Sequence, residues 1–492
     1  MTNANSAPSL DFVFHPASIA VVGVGDESAP INSGRNFLNV LLEAGYSGQI
    51  FPVNRNGGQV RGLKIFRSLG EIPGPVDFVI SAIPAPTAPQ LMAECVAKGV
   101  KAVHFFTAGF SELGDESGKR LEAEVVGIAR RGGVRVTGPN GMGIYCPESG
   151  LSFMSGFPKE KGPLAVMSQS GAFSAYTIRE AVTRGLFISK AISYGNAADL
   201  NEADFLDYFA DDPATRIVAA YIEGARAPGR LPATLKRAAN LKPVVLLKGG
   251  TSPVGARSAA SHTGSLAGSG AVWGAMIRQA GAIQVDDPEQ LVDVALLLNY
   301  LPGNGQNVVF IGFGGGVGVH GADLCSSLGL ALPEVPAEMK AKLRTIWPLE
   351  AGSSLRNPVD LFGGANKKVI GDTLSILAAW PEADFLVVHI PLYLNPASSS
   401  QLAGVYVQAL VDLAGQLRER VIVVLGSVFS EAGNKIVLDA QTSLVRAGFA
   451  VFFSVPRAIN ALAKVVAYRQ RRQGFAKFGS GHSWLEAAKE GT

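Results

Sequence analysis

His262 stands in Ala259-Ala260-Ser261-His262-Thr263-Gly264-Ser265-Leu266-Ala267-Gly268, a run of small side chains following a strand pattern at residues 243–248. Such a run offers an imidazole no core to fill, and it lets a backbone or a phosphate come close. A neutral imidazole nitrogen acts as a nucleophile when a carboxylate orients the opposite N–H. Glu223, in Tyr221-Ile222-Glu223-Gly224, ends the neighbouring strand pattern and is the candidate carboxylate. Position alone leaves a second reading open, a solvated loop entry.

The other histidines have plainer readings. His15 precedes a proline and His482 lies near the C-terminus. His104 and His389 fall inside apolar strand patterns, where a hydrogen-bonded core histidine is expected. His320, in the first turn of a helix pattern, stays ambiguous.

Three strand patterns run into glycine-rich turns that open helix patterns: Val22-Gly23-Val24-Gly25, Ser168-Gln169-Ser170-Gly171 and Gly314-Gly315-Gly316-Val317-Gly318. Free N–H groups and the helix dipole at such a start favour phosphate. In the first turn Ser28 stands where a dinucleotide fingerprint wants a third glycine. Its second strand ends in Pro52-Val53-Asn54-Arg55, without the acid that NAD requires. That end suits NADP or the 3′-phosphorylated ADP of coenzyme A, a structural tight turn being the other reading. If the second and third helix starts converged, they would hold a dianionic phosphoryl group; packing geometry is the alternative. Gly250-x-x-x-x-Gly255 is followed by Ala256-Arg257 rather than Lys-Ser/Thr and is no phosphate loop.

The elements that must position these residues are legible in outline. The 492 residues are 47% hydrophobic, enough for two to four well-buried domains. Only 17% are charged, which points to surface covered between domains or by a partner. Lys+Arg 43 against Asp+Glu 40, with no basic stripe beyond residues 469–472, gives no reason to expect nucleic acid. Cys95, Cys146 and Cys325 form neither a disulfide framework nor a zinc pattern, so no metal is expected. The uncharged stretches 294–322 and 385–411 are broken at Pro302-Gly303 and Asn395-Pro396, and neither suits a membrane span. The N-terminus lacks a signal-peptide pattern, so a soluble cytoplasmic protein is expected.

Apolar runs alternate with helix-length amphipathic segments, which predicts parallel sheets with helical crossovers. Strands are expected at 18–22, 49–52, 77–82, 102–106 and 134–137, then at 164–167, 188–193, 217–222 and 243–248. A third series falls at 307–312, 384–390, 420–425 and 450–452. The fold class expected is α/β with three doubly wound parallel-sheet domains, each opened by one glycine turn.

These residues together resemble the NDP-forming acyl-CoA synthetases, the superfamily of succinyl-CoA ligase and ADP-forming acetyl-CoA synthetase. The likeness runs from about Leu10 to about Tyr468. It rests foremost on Ser261-His262-Thr263-Gly264-Ser265-Leu266-Ala267-Gly268, similar to the family's phosphohistidine loop. Pro52-Val53-Asn54, Gly138-Pro139-Asn140, Ser168-Gln169-Ser170-Gly171, Tyr221-Ile222-Glu223-Gly224 and Asn357-Pro358-Val359-Asp360 support it.

The resemblance implies a Rossmann-like CoA-binding domain at 1–145, a flavodoxin-like phosphohistidine domain at 146–304, a second flavodoxin-like domain at 305–470 and a tail at 471–492. It makes His262 the phosphorylated nucleophile and Glu223 its orienting carboxylate. Ser168, Gln169, Ser170 and Gly171, with Gly315, Gly316, Val317 and Gly318, would hold the phosphoryl group. Gly23, Gly25, Val53, Asn54, Arg55, Ile83, Pro84 and Asn140 would bind CoA. Two departures stand out: Gly141 where cysteine or threonine is usual, and Arg55 where proline is common. The family's ATP-grasp module would need roughly 200 further residues, more than an ordinary domain, so ATP and Mg²⁺ are expected on a separate beta-type chain. The expectation is an alpha-type subunit joining a small carboxylic acid to CoA, in a hetero- or homo-oligomer. Alternatives are an ATP-independent acyl or phosphoryl transferase and a non-catalytic acyl-CoA-binding protein. An NADP oxidoreductase is weakened by the missing third glycine.

Overall fold

The computed structural model describes residues 10–479 apart from 264–268, 313, 348–353, 361–365, 393–395 and 427–429. For residues 260–263, 396–399 and 474–479 it describes the backbone alone. The chain divides into two compact units, Met1–Val182 with Leu186–Leu291, and Thr183–Gly185 with Val292–Thr492.

The first unit holds two sheets. Strands β1 (Ser18–Val22), β2 (Gln49–Val53), β5 (Phe78–Ser81), β6 (Ala102–Phe105) and β7 (Arg135–Thr137) form a parallel sheet in the order β2-β1-β5-β6-β7. A small antiparallel hairpin, β3 (Gly58–Val60) and β4 (Leu63–Ile65), follows β2. The second sheet runs β13-β12-β11-β9-β10-β8. Its members are β8 (Gly143–Tyr145), β9 (Lys161–Ser168), β10 (Ile188–Ser193), β11 (Ile217–Ile222), β12 (Val244–Lys248) and β13 (Ile283–Val285), with only β8 antiparallel.

The second unit carries β14 (Val308–Gly312), β15 (Val359–Asp360), β16 (Phe385–Ile390), β17 (Val421–Leu425) and β18 (Ala450–Phe452), all parallel, in the order β15-β14-β16-β17-β18. Strands β1, β11, β14, β16 and β17 are buried along their whole length, as parallel strands covered on both faces by helices must be. Their near-continuous Val, Ile, Leu and Ala content is the sequence counterpart of that burial. No helix of the described residues is long and apolar enough to cross a membrane.

In all three sheets the first parallel strand lies between the second and the third, so the strand order reverses beside it. The crevice at such a switch, beyond the carboxyl ends of the strands, is where doubly wound sheets bind ligands. Gly23 follows β1, Ser168 ends β9 and Gly314 follows β14, each at its own switch point.

Candidate active site

At the first switch point Gly23 has φ +97°, and a Cβ there would lie 2.7 Å from the carbonyl oxygen of Ala82. Only glycine lets β1 pass so close to the chain leaving β5. The expected role in offering free amides does not hold. The amides of Gly23 and Val24 donate to the carbonyl of Val53 at 2.9 and 3.2 Å, and Gly25 N–H donates to Asn32 Oδ1 at 3.3 Å.

Nor does this turn open a helix directly, because residues 26–32 intervene. The helix Ser33–Ala44 is capped by Asn32, which accepts from Arg35 N–H and donates to the carbonyl of Gly23 at 2.9 Å. Gly34 gives the close helix contact that a third fingerprint glycine would give. A Cβ on Gly34 would sit 2.3 Å from the Gly23 carbonyl oxygen.

The crevice is a cleft of about 400 Å³ lined by Gly23, Val53, Asn54, Arg55, Arg67, Ile83 and Pro84 among others. Gly25 and Asn140 are not among its lining residues. Asn54 is committed to the turn, donating to the carbonyl of Val24 at 2.9 Å. Arg55 and Arg67 are exposed and line it with two cations, and Glu94 lines it with one carboxylate.

A second cleft of about 560 Å³ shares Ala82, Ile83 and Pro84 with the first. It passes Asn140 and Met142 and reaches Ser170, Gly171 and Ala172 at the start of the helix Gly171–Thr183. Asn140 has φ +60°, a conformation asparagine tolerates better than most residues. Gly141 abuts the exit of β10, since a Cβ there would lie 2.5 Å from the carbonyl oxygen of Ser193. The departure from cysteine or threonine at Gly141 thus has a local steric reason. Ser170 Oγ accepts from Phe173 N–H at 3.4 Å, while no acceptor among the described residues meets the amides of Gly171 and Ala172. Those first-turn N–H groups open on the cleft.

Across the same switch point, β9 and β11 pair Ser168 with Tyr221, which places Glu223 just past the strand end. Three buried side chains hold its loop. Gln169 Oε1 accepts the amides of Glu223 and Gly224, and Nε2 donates to the carbonyl of Gly224 at 3.1 Å. Lys248 Nζ donates to the carbonyl of Glu223 at 2.7 Å. Glu202 Oε1 accepts the amides of Arg226 and Ala227, both at 2.9 Å. The Gln169 side chain, expected at the phosphoryl group, is instead spent on this loop. The carboxylate of Glu223 is hydrogen-bonded to the hydroxyl of Tyr221, whose pKa is raised by burial and then by that charge. Phe173 stacks on Tyr221 with ring centroids 4.3 Å apart.

His262 lies in the last turn of the helix Pro253–Thr263 rather than in a loop. Its side chain, and residues 264–268, fall outside the described residues.

The third glycine turn lies in the second unit. Gly314 N–H donates to Asp360 Oδ1 at 3.2 Å, and burial raises the pKa of that carboxyl group. The amides of Gly315 and Gly316 meet no acceptor among the described residues, Val317 and Gly318 bond back to the Gly314 carbonyl, and Gly318 fits under Pro358. Asn357 of the neighbouring motif bridges Phe310 N–H and the carbonyls of Val308 and Pro333, fixing the sheet edge.

Two clefts that share a wall at the carboxyl ends of parallel strands, one of them rimmed by Arg55 and Arg67, mark a doubly wound α/β protein with ligand crevices at its switch points. Residues 17–147 match the CoA binding domain family, and 161–298 the succinyl-CoA ligase like flavodoxin domain family. The chain belongs to the family of ADP-forming acetyl-CoA synthetase alpha subunits. It is 35% identical over 464 residues to the alpha subunit of ADP-forming acetate–CoA ligase I of Pyrococcus furiosus, covering 92% of this chain and 96% of that one. The ADP-forming acetate–CoA ligase I of Archaeoglobus fulgidus is 33% identical over 93% of this chain but 64% of its own length. The structure is similar to the Korarchaeum cryptofilum acetyl-coenzyme A synthetase 1 in complex with phosphate and ADP, with TM-score 0.82 and 28% identity over 96% of this chain and 100% of that one.

The sequence patterns missed Gly34, Arg67, Lys248 and Glu202. Asn32-Ser33-Gly34 carries a signal, a capping residue just before a glycine in the first helical turn. The other three have none, because they act across elements distant in sequence.

Proposed function

We propose that this chain binds CoA in the first crevice and carries the transient phosphoryl group on His262, while a separate ATP-grasp chain supplies the nucleotide site. The observation that carries this reading is the wall Ala82, Ile83 and Pro84, common to both clefts. A thiol-terminated ligand anchored at Arg55 and Arg67 thereby reaches the free amides of Gly171 and Ala172. Residues 1–145 are the CoA domain in this reading, except that β8 (Gly143–Tyr145) pairs with β10 and so belongs to the second sheet, 146–304 are the phosphohistidine domain and 305–470 the domain of the Gly315–Gly318 helix start. Support for a separate nucleotide chain comes from the Archaeoglobus relative, of which about a third lies outside the match, and from the Pyrococcus relative, which is an alpha subunit.

Joining a carboxylate to a thiol needs an activated acyl group, because oxide is a poor leaving group. A carboxylate oxygen of the acid attacks the phosphorus on His262, and the imidazole nitrogen leaves. The CoA sulfur then attacks the acyl phosphate carbon and expels phosphate, its thiol proton being lost to base. Covalent catalysis splits one hard step into easier ones. Glu223 takes the opposite imidazole N–H and stabilises the ring as it charges. The Gly171 and Ala172 amides face the phosphoryl oxygens.

The test mixes purified chain, CoA, ATP, Mg²⁺ and a short carboxylic acid, with and without a cognate ATP-grasp chain. Thioester should form only with both chains present. Turnover by this chain alone would overturn the division of labour.

A further inference from the structure

Lys248 belongs to none of the expected site residues, yet it is a lysine with only 5% of its surface exposed. It ends β12, where the ladder already pairs it with Ile222 of β11. Its Nζ donates to two main-chain carbonyls, Glu223 and Gly249, and lies 5.0 Å from the centroid of the Trp273 ring. The first of these peptides carries Glu223. The second leads within a few residues into the helix Pro253–Thr263, which bears His262. Gly249 is itself wedged in place, since a Cβ there would lie 2.5 Å from the Tyr221 hydroxyl.

Burying an ammonium is costly, and an apolar side chain of similar length filling the same space is often as stable. A strap between two strands that already share a ladder gains little from a charge. Here the charge lies beside Glu223, and the hydrogen bonds fix where that residue's peptide points. We infer that Lys248 is a positioning residue for phosphoryl transfer, setting the place of Glu223 relative to the His262 helix. This rests on the proposed His262–Glu223 chemistry.

The role has a measurable form. In the complex reconstituted with the ATP-grasp chain, the rate of His262 labelling from labelled ATP is compared across wild type, Lys248→Met, Glu223→Gln and the double variant. Methionine keeps an unbranched side chain of similar length beside Trp273 and removes the ammonium. Lys248→Met should label ten- to a hundredfold more slowly, with CoA affinity unchanged because the first crevice is untouched. In the Glu223→Gln background it should change the rate less than twofold, since residues acting through one another are not additive. If Lys248→Met does not fold, Lys248→Gln and Lys248→Arg replace it, with glutamine slow in the same cycle and arginine, which keeps donor and charge, restored at least tenfold over glutamine.

An equal slowing in both backgrounds would show Lys248 acting apart from Glu223 and overturn the inference. Wild-type labelling by Lys248→Met alongside slow Glu223→Gln would overturn it while leaving the proposed chemistry standing. Wild-type labelling by Glu223→Gln would remove the proposed chemistry and this inference together.

Discussion

The side chain of Gln169, just past β9, is bonded to the main-chain amide of Glu223, just past β11. One buried amide thus fixes a carboxylate-bearing loop across the crevice of the second sheet.

Gln169→Leu keeps the volume but strands the Glu223 and Gly224 amides and the Gly224 carbonyl in a buried place. Each orphaned group costs about 1–3 kcal/mol. The expected outcome is a melting temperature lower by several degrees, read by calorimetry. His262 labelling should slow while CoA affinity holds. Unchanged melting would mean that water replaces the side chain.

In the first crevice, Gly34→Ala should destabilise the protein and weaken CoA binding at least tenfold. The new methyl group must displace main chain, because the Gly23 carbonyl oxygen lies 2.3 Å from its position. Isothermal titration reads the affinity, and an unchanged value would show that the turn does not touch the ligand.

The rim cations make a separate prediction. Arg55→Glu and Arg67→Glu should each weaken CoA most at low salt, where charge attraction is least screened. CoA should also bind more tightly than NADP. Micromolar NADP affinity with no CoA heat would contradict the assignment of the crevice.

The strands that position the site are legible where they are apolar runs closed by turn residues, as at β11 and β14. Strands β3, β4, β8, β13 and β15 are not, since such short segments pair only because neighbours present an edge; β7 and β18, equally short, are legible because each closes a repeating alternation of strand and helix patterns. The small residues around His262 read as a loop, yet Ala256, Ala259 and Ala260 favour helix, and the helix continues through Thr263. Gln169 looked like a phosphate ligand because its long-range partner, the Glu223 peptide, is invisible in a linear pattern. The core reading of His104 holds, with Nδ1 on Thr137 Oγ1 and Nε2 on the Gly141 carbonyl, both at 2.9 Å. His389 is also buried, but the hydrogen-bonded reading does not extend to its Nδ1, which has no partner among the described residues.

His104 also predicts a pH dependence. Burial pushes its pKa from 6.5 down to about 4, so the folded protein holds it neutral where the unfolded chain is protonated. The unfolded state therefore binds the extra proton between these values, and stability rises with pH across that window. The contribution is whole above pH 6.5 and is lost as pH falls towards 4, about 3 kcal/mol in all. His389 acts in the same direction in the second unit. His104→Gln should flatten the slope of melting temperature between pH 6.5 and 4; an unaltered slope would place the titration elsewhere.

The central claim is that the chemistry passes through His262. Supplied with the ATP-grasp chain and labelled ATP, the protein should acquire a phosphoryl group that is labile in acid and stable in base. His262→Ala should abolish it, and Glu223→Gln should slow its formation by roughly a hundred- to ten-thousandfold, as carboxylate–histidine pairs behave elsewhere. Label that survives in folded His262→Ala, or that resists acid and yields to base, would contradict the account.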